Sequence, residues 1–151
     1  MLLSDLLTTD RIKIPLEAGS KEDLLRELVS IVTASDGIDD ADAVLQAVRE
    51  RESILSTGIG HGVAIPHGKS SSVSELRMAA GRAAAPVEFD ALDGQPVALF
   101  FLLVGPESAA GPHIKALSRI SRIVRRDDVR DRLIAARTPA EFLKALQDAE
   151  S

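Results

Sequence analysis

His67 closes the run Thr57-Gly58-Ile59-Gly60-His61-Gly62-Val63-Ala64-Ile65-Pro66-His67-Gly68-Lys69. An imidazole that is neutral near physiological pH is a competent nucleophile and needs no separate base. Attack on a phosphoryl group would give a phosphoimidazole able to hand that group on. The other reading is a histidine that satisfies a hydrogen bond in a turn, and spacing alone leaves the two side by side. His113 follows the helix-opening pair Gly111-Pro112. Free amides and the helix dipole attract anions there and disfavour an imidazolium, so His113 would stay neutral and donate one hydrogen bond. Its competing reading is an exposed first-turn residue. Arg51, at the end of a helical pattern, could pair with a phosphoryl oxygen in bidentate fashion, or could simply complement the helix dipole.

Other chemistries fit less well. Gly62 to Gly68-Lys69-Ser70 resembles a phosphate-binding P-loop, but five residues separate its glycines where four are required, and Pro66 removes an amide. Gly58-x-Gly60 starts a dinucleotide fingerprint, yet Val63 stands where the third glycine belongs. A three-imidazole metal site from His61, His67 and His113 is conceivable. The six-residue spacing of the first two inside a glycine loop matches no ligand pattern, so neither metal nor cofactor is expected, and His61 reads as a rim residue. Eight basic residues from Lys115 to Arg137 face only Asp127, Asp128 and Asp131. That excess could meet an acidic partner or be a solvated helix face.

The elements that must position these residues follow from periodicity. Ile12-Lys13-Ile14 alternates like a strand that stops at Pro15. Ser20 opens a helix with Leu24, Leu25, Leu28, Val29 and Val32 inward, in a capping box that carries Asp23 in place of Glu. Asp39 or Asp40 caps a second, with Ala43, Val44, Ala47 and Val48 apolar, ending near Arg51-Glu52. Val63-Ala64-Ile65 is a short buried strand that Pro66 ends, leaving His67 exposed on one side. Leu76 to Ala84 is weakly strand-like, Asp93-Gly94 is a turn, and Val97 to Val104 is a central strand buried on both faces. A third helix from Gly111-Pro112 turns Ile114, Leu117, Ile120 and Val124 inward. Another spans Asp128 to Ala136, and Thr138-Pro139-Ala140-Glu141 is the capping box of the last. The fold expected is α/β, a sandwich of helices around a mixed sheet.

Composition narrows the function. The 151 residues suit one domain with a real core. A net charge of −5 disfavours a general nucleic-acid binder. The absence of cysteine excludes disulfides, zinc–thiolate sites and cysteine nucleophiles. Four Phe with no Tyr or Trp leave almost no platform for stacking bases. No apolar run approaches a bilayer span, and Met1-Leu2-Leu3-Ser4-Asp5 lacks the basic region of a signal peptide, so the cytoplasm is the simplest compartment.

Glu52, six residues, Ile59-Gly60, two residues, then Val63-Ala64-Ile65-Pro66-His67-Gly68 resembles the signature of type-2 enzyme IIA domains. These are the fructose–mannitol class of the phosphoenolpyruvate-dependent phosphotransferase system (PTS), including nitrogen-related IIA regulators. Phe89-Asp90-Ala91-Leu92-Asp93-Gly94-Gln95-Pro96-Val97 and His113-Ile114-x-x-Leu117-Ser118-x-Ile120-Ser121 are similar to further segments of the family. The resemblance implies one IIA domain over residues 1–151 and an α/β sandwich with a mixed, largely parallel sheet. It implies that His67 accepts a phosphoryl group from phospho-HPr or a nitrogen-branch HPr, with His113 and Arg51 steadying it. The group would pass to the IIB domain of a sugar permease, with no ATP site required. The alternative is a regulator whose phosphorylation state controls partner binding, which a chain without fused IIB or IIC domains mildly favours. One departure is His61, where many members carry Asn.

Overall fold

The computed structural model describes residues 2–36, 38 and 40–151. A six-stranded sheet is built from β1 (Ile12–Leu16), β2 (Gly58–Gly60), β3 (Val63–Ala64), β4 (His67–Lys69), β5 (Arg77–Val87) and β6 (Val97–Gly105). The order is β1-β5-β6-β3-β2, with β4 also on β6. It is mixed: β1–β5, β3–β6 and β4–β6 are parallel, whereas β5–β6 and β2–β3 are antiparallel.

β6 alternates across the sheet as a fully covered strand must. Phe100, Leu102 and Val104 join one apolar cluster with α1 (Lys21–Asp36) and α2 (Ala41–Ile54). Leu99, Phe101 and Leu103 join the other, with α3 (Ala110–Ile123), α4 (Asp127–Ala135) and α5 (Pro139–Glu150). Each fully buried side chain of this size contributes about 1.5–3 kcal/mol of transfer free energy. The four buried phenylalanines, Phe89, Phe100, Phe101 and Phe142, are divided evenly between the two layers.

The caps behave as their chemistry demands. Ser20 Oγ accepts the amide of Asp23, Asp40 accepts that of Ala43 and Thr138 that of Glu141. Asp39, the other candidate cap, lies outside the described residues. Pro15 does not stop β1, which runs on to Leu16. β1 pairs only with β5, and an edge strand tolerates the missing amide. α2 continues past Arg51-Glu52 to Ile54, and β5 to Val87.

One expectation about α3 is overturned. Ile114 points outward, 65% exposed, while His113, Ala116, Ile120 and Ile123 face inward. Periodicity had assigned the inward positions to the largest apolar residues. The packed phase instead gives the first inward position to a histidine and leaves the isoleucine at the surface.

Candidate phosphoryl-transfer site

β3 and β4 are two halves of one strand. Val63 and Ala64 pair with Leu99 and Phe100, and His67 and Gly68 resume the same register against Leu103 and Val104. The interruption falls at Ile65-Pro66. Pro66 has no amide to give, although its carbonyl accepts Leu103 N–H, and the Ile65 amide turns away to the Thr57 carbonyl at 3.0 Å. Pro66 therefore breaks the ladder as its chemistry requires, and His67 opens the second half instead of standing at a free end.

Gly68 sets what lies around His67. A Cβ there would sit 3.0 Å from the backbone of Ala47 and Val48, so only glycine lets α2 cross β4 this closely. That crossing carries Arg51, one turn further along α2, to the cleft. Because neighbouring strand residues face opposite ways, His67 and Lys69 both point away from α2's backbone, towards α3. His67, Lys69, Arg51, Glu50 and His113 line one open cleft of about 470 Å³, with Ile54, Ile114 and Leu117 at its apolar margin.

The His67 ring is held in one state. Its Nδ1 lies 2.8 Å from the Ile65 carbonyl oxygen. A carbonyl can only accept, so Nδ1 carries the proton and Nε2 keeps its lone pair. Burial holds the imidazole pKa below its ordinary 6.5; Arg51 and Lys69 push the same way, while the Ile65 hydrogen bond and Glu52 oppose them. At neutral pH this is an uncharged imidazole with Nε2 available.

His113 is 2% exposed, and neither of its ring nitrogens has a hydrogen-bond partner. Its ring stands edge-on to His67, with centroids 5.5 Å apart. Its pKa is pushed down to about 4, first by burial and then by His67 and Lys69. The expected neutrality thus has burial as its main cause, and the exposed first-turn reading is excluded. A buried unpaired polar group costs about 1–3 kcal/mol, which would be recovered by a ligand able to bond it.

Arg51 donates from Nη1 to the Leu55 carbonyl at 2.8 Å, closing the end of α2. Lys69, which the sequence offers only within the P-loop-like run, lies in the cleft. Its Nζ lies 3.8 Å from the Glu107 carboxylate, ahead of α3. A cation two residues after a strand histidine shares its face, but that signal depends on β4, which the sequence does not announce beyond Pro66. Glu52 ends the second helical pattern and is the first residue of the signature. It is buried, and its carboxylate accepts the Thr57 amide at 2.8 Å.

His61 is not part of this cleft. It sits exposed at the tip of the β2–β3 hairpin, with φ +58° between two glycines also at positive φ. Among the described residues, no group of three or more His, Asp and Glu side chains is arranged to hold a metal ion. The basic stretch after Lys115 is a partly ion-paired surface, with Arg126 on Asp128, Arg130 on Asp127 and Arg132 on Asp148.

Residues 5–149 match the family described as phosphoenolpyruvate-dependent sugar phosphotransferase system, EIIA 2. The chain belongs to this EIIA family. It is 39% identical over 136 residues to the PTS system fructose-specific EIIABC component of Bacillus subtilis, covering 90% of this chain but only 21% of that protein. The nitrogen regulatory protein IIA-Ntr of Neisseria meningitidis superposes with a TM-score of 0.88 at 35% identity, covering 95% of this chain and 98% of that one. Enzyme IIAMTL, in its complex with phosphorylated enzyme IIBMTL from Escherichia coli, shares the fold with a TM-score of 0.79 at 19% identity over 94% and 97% of the two chains. This EIIA chain is thus a phosphotransfer component with a mixed sheet between helical layers, as the signature around His67 implies. No helix among the described residues is long and apolar enough to cross a membrane.

Proposed function

We propose that His67 accepts a phosphoryl group on Nε2 from the phosphohistidine of HPr, or a nitrogen-branch HPr, and passes it to a IIB domain of a sugar permease. The observation that carries this reading is the state of the ring: Nδ1–H fixed on the Ile65 carbonyl, Nε2 unprotonated in the cleft. In the first transfer the donor's P–N bond breaks as a bond forms from Nε2 to phosphorus, and the electron pair leaves with the donor imidazole. The proton on Nδ1 stays in place, and the Ile65 carbonyl stabilises the positive charge that grows on the ring. Arg51 and Lys69 meet the equatorial oxygens, where phosphoryl transfer gains most from charge and alignment. His113, neutral and without partners, donates to one of those oxygens.

Exposed Ile54 and Ile114 at the margin, 80% and 65% accessible, give partner proteins an apolar surface around the nucleophile. No ATP site is needed, because the donor is another protein, and the relay works in the cytoplasm. A second reading has its own support in the 35% identity to IIA-Ntr: phosphorylation of His67 then controls binding to regulatory targets.

Intact mass after incubation with phosphoenolpyruvate, enzyme I and HPr tests the acceptor. One acid-labile phosphate on wild type and none on His67→Ala is expected, with the phosphate on Nε2. A fully labelled His67→Ala protein would overturn the assignment. Labelled wild type offered a fructose-type IIB then separates relay from regulator.

A further inference from the structure

The signature residue Glu52 lies outside the cleft lining, yet three hydrogen bonds in series join it to His67. Its carboxylate accepts the Thr57 amide through both oxygens, at 2.8 and 3.1 Å, and the Thr57 hydroxyl at 3.2 Å. The Thr57 carbonyl accepts the Ile65 amide at 3.0 Å. The Ile65 carbonyl accepts His67 Nδ1–H at 2.8 Å. The second and third links meet at Ile65, in the interruption between β3 and β4. The Ile65 amide is held by the Thr57 carbonyl and not by β6, so Thr57 anchors the residue whose own carbonyl, one peptide further on, orients the imidazole. Lys21 holds the far end, its Nζ 3.3 Å from Glu52 Oε1.

We infer that Glu52 is a positioning residue for phosphoryl transfer, which fixes the tautomer and direction of the His67 ring through Thr57 and Ile65. The inference rests on His67 as the acceptor. The N–H and C=O of Thr57 and of Ile65 lie on separate peptide units, so the carboxylate acts on the ring by placing these residues and not by its charge. The role depends on reach: the carboxylate must stand where the Thr57 amide can meet it. Misplacing a reacting group by about 1 Å costs up to roughly a hundredfold in rate.

Two substitutions separate reach from charge. Glu52→Asp keeps the charge and withdraws it by one methylene; Glu52→Gln keeps the acceptor oxygen in place and loses the charge. The first readout is the ¹⁵N shifts of the His67 ring, which report its tautomer and need no donor protein. The second is the rate of phosphorylation by phospho-HPr. Wild type and Glu52→Gln are expected to show Nδ1–H as the dominant tautomer, with rates within about threefold of each other. Glu52→Asp should show mixed tautomers and a rate roughly ten- to a hundredfold lower. A folded Glu52→Asp protein with the wild-type tautomer overturns the inference, as does a Glu52→Gln protein impaired as badly as Glu52→Asp. If Glu52→Asp does not fold, Glu52→Met takes its place, filling the same volume while accepting no hydrogen bond from Thr57, and a folded Glu52→Met protein with the wild-type ring signals also overturns it. If wild type accepts no phosphoryl group, the relay reading falls, while the tautomer comparison still decides the role of Glu52.

Discussion

Glu52 and His113 are both buried polar side chains near the end of α2, and they are treated in opposite ways. Glu52 meets the Thr57 amide and hydroxyl and the Lys21 ammonium. His113 meets nothing through either ring nitrogen. A satisfied buried group holds a structure in place, whereas an unsatisfied one costs stability until something binds it. On the function proposed above, the contrast separates scaffold from reaction centre: the partnered carboxylate would aim the ring of His67, and the unpartnered imidazole, 5.5 Å away, would meet the group that ring carries.

The strongest break of that contrast removes the proposed nucleophile. His67→Ala is expected to abolish phosphorylation and leave the fold intact, since His67 is only half-buried at the cleft. Mass spectrometry and a thermal melt together check both halves. Loss of the fold would place His67 with the scaffold instead.

Acid should act on His113 next. Its folded pKa of about 4 lies below the ordinary 6.5, so the unfolded chain binds a proton that the folded chain refuses. Stability from this group is complete above pH 6.5 and falls as pH drops from there towards 4, by on the order of 3 kcal/mol. Denaturant melts at pH 7 and pH 4.5 should show that loss in wild type and a smaller one in His113→Leu. At pH 7 the leucine removes two unpaired polar atoms, so that variant should be as stable as wild type or more so, while its phosphorylation slows about tenfold or more. A His113→Leu protein destabilised by several kcal/mol at pH 7 would mean that the histidine belongs to the scaffold.

The sequence told these two residues apart only in part. The helices, central strand and Pro66 break were legible because caps, periodicity and the missing proline amide act locally. Glu52, His67 and His113 stand out as residue types within a recognisable pattern. What distinguishes them was not legible, because burial and partners come from elements distant in the chain. His113 is buried because α3 packs in a phase that sends Ile114 outward, and no apolar count along the helix expresses that. Lys69 faces the site because β4 turns Gly68 to the backbone of α2, a crossing that no local pattern expresses.

Arg51 and Lys69 give a milder test, because charge at an open cleft is partly shared with water. Either residue changed to Ala should slow phosphorylation roughly tenfold without changing the acceptor nitrogen, equivalent to about 1.4 kcal/mol of transition-state stabilisation. The Lys69→Ala effect should shrink as salt rises, since an exposed cation works through a screened field. A rate equal to wild type at low salt would withdraw the role of that cation.

The smallest effect is expected at His61, which belongs to neither group. It occupies the left-handed region at φ +58°, and a non-glycine residue there carries strain that Asn or Gly relieves. Its amide donates to the Asp93 carboxylate at 3.3 Å, and that bond uses backbone alone, so substitution need not disturb it. His61→Gly gains from relief of the turn and loses from greater freedom in the unfolded chain, which leaves a net change within about 1 kcal/mol. His61→Asn keeps the side-chain restriction and is expected to stabilise by a few tenths of a kcal/mol. Neither should alter phosphorylation, because the ring lies outside the cleft that holds His67. A phosphorylation rate that falls tenfold in His61→Asn, with stability unchanged, would move His61 from the hairpin tip into the working surface of the domain.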